Sequence, residues 1–156
     1  MPRSSSSALQ ALRKRRLDGE RQAETALAEA LAARLRAEAR DAELETAAVA
    51  ARSAWAAARS SAPLPTTAGE AAAQFHYWAR LEAAVKAALG AQDSHRAGAL
   101  ALAIRGAEAA RGAHLVARQR REVVDKALAR RAAAERLDRE RRTEAELDDR
   151  ARPPRA

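Results

Sequence analysis

Apolar residues recur along this chain at helical steps. Leu27, Leu31, Leu35, Ala42 and Val49 follow one another at four- and seven-residue intervals, and from Leu9 to Ser60 there is no proline and a single glycine, Gly19. Such spacing gathers a narrow stripe on one face of a helix. A first helix is therefore expected over about residues 8–60, on the order of 75 Å long. Ser7 with Gln10 has the spacing of a capping box, which places its start.

The stretch 61–69 holds Pro63, Pro65, Thr66, Thr67 and Gly69. Prolines fix φ and push the residue before them out of the helical region, so this cluster is the turn. Thr67 with Glu70 forms a second capping box and opens a second helix, expected over about residues 70–150, with residues 153–156 disordered beyond it. Gly90, Gly98, Gly106 and Gly112 punctuate that helix. Each costs about 1 kcal/mol relative to alanine, so they mark either a bend or a close helix approach.

Neither stripe is broad enough to hold a lone helix together in water, and a short link makes the neighbouring helix the natural antiparallel cover. The expected fold is all-α: a single domain, residues 1–156, forming a long two-helix antiparallel coiled-coil hairpin whose second helix is the longer. A turn centred near Leu64 sets Trp55 beside Phe75 and Trp78, and these three with Val85 and Leu89 make the expected hairpin core. The same register puts Leu9 opposite the region of Gln119 and leaves residues 122–150 without an intramolecular partner. Pairs such as Glu122/Lys126 and Arg131/Glu135/Arg139, four residues apart and of opposite sign, support such an exposed stretch by about 0.2 to 0.5 kcal/mol each.

Composition agrees with a hairpin and excludes a globule. Alanine supplies 47 of 156 residues, while Leu, Ile, Val and Phe together supply 23, too few to build a globular core. With no cysteine, neither a disulfide framework nor a thiolate zinc site can form, and a reducing compartment suits the chain. No apolar run reaches the roughly 18 to 20 residues that span a bilayer, and the opening Met-Pro-Arg-Ser-Ser-Ser-Ser is followed by no apolar segment of a secretory signal. A cytoplasmic protein is expected.

Candidate chemistry is sparse. His76, His95 and His114 are 19 residues apart, a step that turns each about 100° from the last on a helix, so no shared metal site is expected. Nucleophile elbow, phosphate-cradling glycine loop and HExxH pattern are all missing. A two-helix hairpin also offers no cleft in which paired carboxylates could be tuned. We therefore expect no enzyme, no catalytic residue, no cofactor and no metal.

Charge points instead to partners. The net charge of +8 is carried by 26 arginines and three lysines, clustered at Arg13-Lys14-Arg15-Arg16, Arg118-Gln119-Arg120-Arg121, Arg130-Arg131 and Arg139-Glu140-Arg141-Arg142. Acidic residues interleave with most of these, and no leucine heptad follows an uninterrupted basic helix, so nucleic acid is not the expected partner. In the expected register the first two clusters meet and present a positive surface to an acidic socket. Early in the second helix, Phe75, Trp78, Val85 and Leu89 share one face, whereas Tyr77, Leu81, Ala84 and Ala88 fall on another about 100° away. The second face either widens the seam or awaits a partner groove.

These features resemble the central stalk proteins of type III secretion, the FliJ type of flagella and the YscO type of virulence injectisomes. Members are similar in length and fold as an antiparallel helical hairpin with an aromatic-rich opening to the second helix. Phe75-His76-Tyr77-Trp78-Ala79-Arg80-Leu81-Glu82-Ala83-Ala84-Val85 looks like that opening, and Glu146-Leu147-Asp148-Asp149-Arg150-Ala151 is similar to the family's C-terminus. Tyr77, Leu81 and Ala84 stand at the spacing with which flagellar members dock on the export gate, while Ala88 stands where they carry histidine. The Arg and Ala bias suggests the Hrp-type member of a plant pathogen. The resemblance implies a stalk that links the hexameric type III export ATPase to the cytoplasmic domain of the export gate, supports ATPase activity and protein export, and handles export chaperones at the inner-membrane export apparatus. Arg13, Lys14, Arg15, Arg16, Arg118, Arg120 and Arg121 would then contact the ATPase socket, and Tyr77, Leu81, Ala84 and Ala88 the gate. Two alternatives stand beside it: a self-assembling coiled-coil scaffold, and an arginine-rich nucleic-acid-binding helical protein.

Overall fold

A computed structural model describes the backbone of residues 3–151 and the side chains of residues 7–147. Its elements are helix α1 (Arg3–Ser61), helix α2 (Ala68–His95), a π-helical turn (Arg96–Leu100) and helix α3 (Ala101–Ala151), the last three running on without a break as one second helix. The fold is the expected all-α, two-helix antiparallel coiled-coil hairpin with the longer second helix. Helix α1 starts at Arg3, so Ser7 and Gln10 lie inside it and do not cap it. Serine is only a mildly poor helix former, and the run Ser4–Ser7 does not stop the helix. The expected disorder of residues 153–156 falls outside the described residues.

The chain divides into two compact units, Ala26–Arg111 and Met1–Thr25 with Gly112–Ala156. In the first, α1 ends before the link 62–67, where Pro63 and Pro65 hold Ala62 and Leu64 out of the helical region. Thr67 caps α2 as its sequence implies. Its backbone is extended (φ −125°, ψ 157°), its hydroxyl accepts from the Glu70 amide, and Glu70 answers by accepting from the amides of Thr66 and Thr67. Hydrogen bonds from the Thr66 hydroxyl and from both amides hold the Glu70 carboxyl below its ordinary range. Gln74 Nε2 donates to the Pro63 carbonyl at 3.0 Å, folding the link back along α2.

Burial within this unit follows a heptad. On α1 a heptad of covered positions runs through Leu27, Ala30, Arg34, Ala37, Asp41, Leu44, Ala48, Ala51, Trp55 and Ala58, with Leu31, Ala32, Ala33 and Glu38 half-buried beside it. On α2 it runs through Gln74, Trp78, Leu81, Val85, Ala88, Gln92 and His95, with Leu89 half-buried beside it. Steps of three and four alternate throughout, which keeps one seam facing the partner helix. Beyond His95 the pattern resumes at Leu100, Ala103, Ala107 and Ala110. The step from His95 to Ala103 is eight residues instead of seven, and the five-residue π turn lies between them. A π turn takes up one extra residue without rotating the helix beyond it, so it restores the seam that an eight-residue step would otherwise turn by about 100°.

Alanine is the commonest residue of the seam and supplies its most buried apolar positions: Ala48 is 2% exposed and Ala107 4%. Trp78 and Val85 are half-buried along it, as are Trp55 and Leu89. Phe75, expected in the core, is 67% exposed. It sits one position past the seam residue Gln74, and its ring meets that of His76 edge to face, with centroids 6.1 Å apart. The register is also displaced. A turn at Leu64 would have set Asp41 against Ala87 and Arg13 against Leu115, but Asp41 pairs with Arg96 and Arg13 with Asp125. The proline link is tied to α2 by the bond from Gln74 to Pro63 and takes up more residues than a tight turn at Leu64 would, and the extra π residue adds to the offset.

In the second unit the covered positions include Leu9, Arg16, Leu17, Glu20 and Ala23 on α1 and His114, Ala117, Arg121, Val124, Leu128 and Arg131 on α3, with Arg121 reaching Glu20 across the pair. Pairing reaches Arg131, so the exposed stretch is shorter than the expected 122–150: every described side chain from 132 to 147 is exposed. A Cβ added at Gly90, Gly98, Gly106 or Gly112 would meet nothing within 4 Å. Close helix approach is therefore not what these glycines serve, and only Gly98 lies in a local departure from the α-helix, the π turn.

Candidate functional site

Three groups of side chains could meet a partner. The first surrounds the link. Ala58, Pro63, Leu64, Pro65, Tyr77 and Trp78 line an open cleft of about 480 Å³, with Glu70 and Gln74 at its polar edge. Leu64 is 91% exposed, Tyr77 on the same cleft is exposed, and so is Phe75 in the same stretch of α2. The guanidinium of Arg59 lies 5.0 Å above the Trp55 ring, a cation–π contact. Of the four residues expected to face the gate, Tyr77 and Ala84 are exposed, but Leu81 and Ala88 are half-buried positions of the seam. The heptad draws on both of the faces read from the sequence, so those four residues do not form one free stripe.

The second group is a polar layer at the π turn, which nothing in the sequence pattern had singled out. His95 Nε2 donates to the Ala37 carbonyl at 2.9 Å, and Arg96 reaches Asp41 at 2.8 Å and Glu45 at 3.2 Å. The hydrogen bond from Arg96 holds the Asp41 carboxyl below its ordinary range. Next to it Gln92 is buried to 6% exposure. Polar residues at seam positions fix register, because any slip leaves them facing alanine. The eight-residue step between His95 and Ala103 was the signal that could have located this layer.

Arginines make up the third group. The structure brings the clusters 13–16 and 118–121 together in the second unit. Arg13 Nε meets Asp125 at 2.7 Å, Arg121 meets Glu20 at 3.1 Å, and Arg118 takes Glu122 at 3.0 Å, so Glu122 pairs backward with Arg118. Arg15, Arg16 and Arg120 line a small cleft of about 150 Å³ with Gly19 and Ala117. Lys14 is exposed. Farther along, Glu135 bridges Arg131 and Arg139 as its spacing implies.

The histidines do not converge: His95 is tied to Ala37, His114 lies on the seam of the other unit, and His76 is exposed beside Phe75. Among the described residues no three His, Cys, Asp or Glu side chains are gathered as metal ligands would be, and no helix is long and apolar enough to cross a membrane. Comparison with family models, with curated proteins and with solved structures finds no match for this chain.

Proposed function

We propose that the protein is a central stalk of a type III secretion system, a hairpin that binds an export ATPase through its arginine-bearing unit and an export gate through the exposed residues near its turn. The observation that carries this reading is that the two units offer two different binding chemistries. One displays Leu64, Phe75 and Tyr77, apolar groups suited to a partner's groove; the other joins arginines from both helices, suited to an acidic socket. On this reading the gate contact rests on Tyr77 and Ala84, with Phe75 added and Leu81 and Ala88 left to the seam.

ATP hydrolysis by a cognate hexameric export ATPase, measured with and without the protein, tests the proposal. Stimulation, with co-purification of the two, supports it; an unchanged rate and no complex would remove it. Tyr77→Ala is expected to weaken binding to the gate's cytoplasmic domain while helicity by circular dichroism stays constant.

A second reading, self-assembly, is favoured by one observation in the second unit. Val116 (44% exposed), Val123 (67%) and Leu137 (55%) stand at multiples of seven residues on α3, with Ala113 before them, Ala127 and Ala134 between them, and Arg120 and Arg130 at the two remaining positions of the same heptad. This outer stripe has heptad spacing of its own and would suit a further helix. Sedimentation equilibrium over a wide concentration range separates the readings, since a scaffold gains mass with concentration and a stalk monomer does not.

A further inference from the structure

Arginines of the second unit fall into two classes. Arg13, Arg118 and Arg121 each hold a carboxylate within 3.1 Å. Arg15, Arg16 and Arg120 hold none among the described residues, although they come from two helices and line one cleft. Glu20, the acid next to that cleft in sequence, is engaged by Arg121, and Asp125 is shared by Arg13 and Arg121. Three cations converging on one opening repel one another unless an anion sits between them.

We propose that this cleft is a phosphate-binding site, taking the phosphate groups of a short phosphate chain such as tripolyphosphate or the tail of a nucleotide. The guanidinium fork matches phosphate oxygens two at a time, and a phosphate has enough oxygens and charge to be shared by three arginines, whereas one fork already satisfies a carboxylate. Gly19 leaves the necessary room: a Cβ built there meets nothing within 4 Å. The inference goes beyond the stalk reading and does not rest on it, because it concerns the isolated protein and a small anion. A nucleic-acid backbone presents the same phosphate chemistry and is the second source to be distinguished.

The test uses the full chain, labelled with nitrogen-15, and follows the arginine Nε–Hε signals during titration with tripolyphosphate and, separately, with a short DNA duplex in about 0.1 M salt, where charges beyond about 10 Å are screened. The variant Arg15→Gln/Arg16→Gln/Arg120→Gln is expected to weaken tripolyphosphate binding by tenfold or more, as loss of charged hydrogen bonds implies. Arg139→Gln/Arg141→Gln/Arg142→Gln removes the same charge outside the cleft and is expected to change it by less than about twofold. Gly19→Glu places a carboxylate among the three arginines and is expected to abolish binding, whereas the charge-matched Gln10→Glu leaves it within about twofold. Tripolyphosphate bound more tightly than duplex identifies a small phosphate ligand, and the reverse, still dependent on the cleft arginines, identifies a nucleic-acid source. Equal losses in the cleft and control variants, or no binding of either probe, would overturn the site.

Discussion

The two units of this hairpin use the same heptad for different ends. In Ala26–Arg111 the seam mixes alanine with Leu, Val and Trp, is closed by a proline link and a capping box, and carries a polar layer of Asp41, Gln92 and His95 beside the π turn. In the other unit Arg16, Glu20, Arg121 and Arg131 occupy seam positions themselves, and Val124 is the one buried hydrophobe among its described residues. Small side chains let helices pack closely and punish any change of volume or phase. Long charged ones cover the seam with their stems and keep their heads available. The first unit is built to hold its register, the second to present charge.

Phase errors should have the largest effect. Deleting Ala109 turns every seam residue after it by about 100° and is expected to abolish the cooperative thermal transition followed by circular dichroism. Deleting Ala97, inside the π turn, removes the extra residue and makes the heptad continuous; helicity and cooperativity are expected to survive. If both deletions are equally harmful, the π turn is not what keeps the seam in phase.

A buried charge comes next. Ala48→Asp, at 2% exposure, is expected to cost about 3 kcal/mol or more in urea unfolding, because a lone carboxylate has no partner in an alanine seam. Glu20→Ala in the charged unit should cost less, about 2 kcal/mol, since Arg121 retains Asp125. Thr67→Ala removes the cap of α2 and should cost about 1 kcal/mol.

The smallest effect is one of pH. Asp41 and Glu70 both have carboxyls held below their ordinary range, by Arg96 and by the Thr66 hydroxyl and amides respectively. A group depressed in the folded state contributes fully above its unfolded pKa, about 4, and its contribution is lost as pH falls through the lower folded value. The melting temperature should therefore hold between pH 7 and 5 and fall below about pH 4, and Asp41→Asn should flatten part of that fall.

Much of this architecture was legible along the chain. Helix type, the proline turn, the Thr67–Glu70 cap and antiparallel pairing all follow from local rules: alanine propensity, fixed φ at Pro63 and Pro65, and a stripe too narrow to stand alone. The meeting of the two arginine clusters also followed, because a hairpin pairs its ends. Which aromatic residues are covered did not. Phe75 and Trp78 look alike on a helical wheel, and three residues of spacing cannot say which of them falls on the seam.

The sequence by itself determined that this protein is helical and doubles back, since those outcomes depend on neighbours within a few residues. Only the tertiary structure decided the register, with Asp41 on Arg96 and Arg13 on Asp125, the conversion of Leu81 and Ala88 from a free stripe to seam, and the sorting of arginines into those neutralised and those left around a cleft. The physical reason is one of phase. Helix pairing sums small preferences over many turns, and the proline link together with one extra residue at the π turn shifts that sum in a way no local window of residues contains.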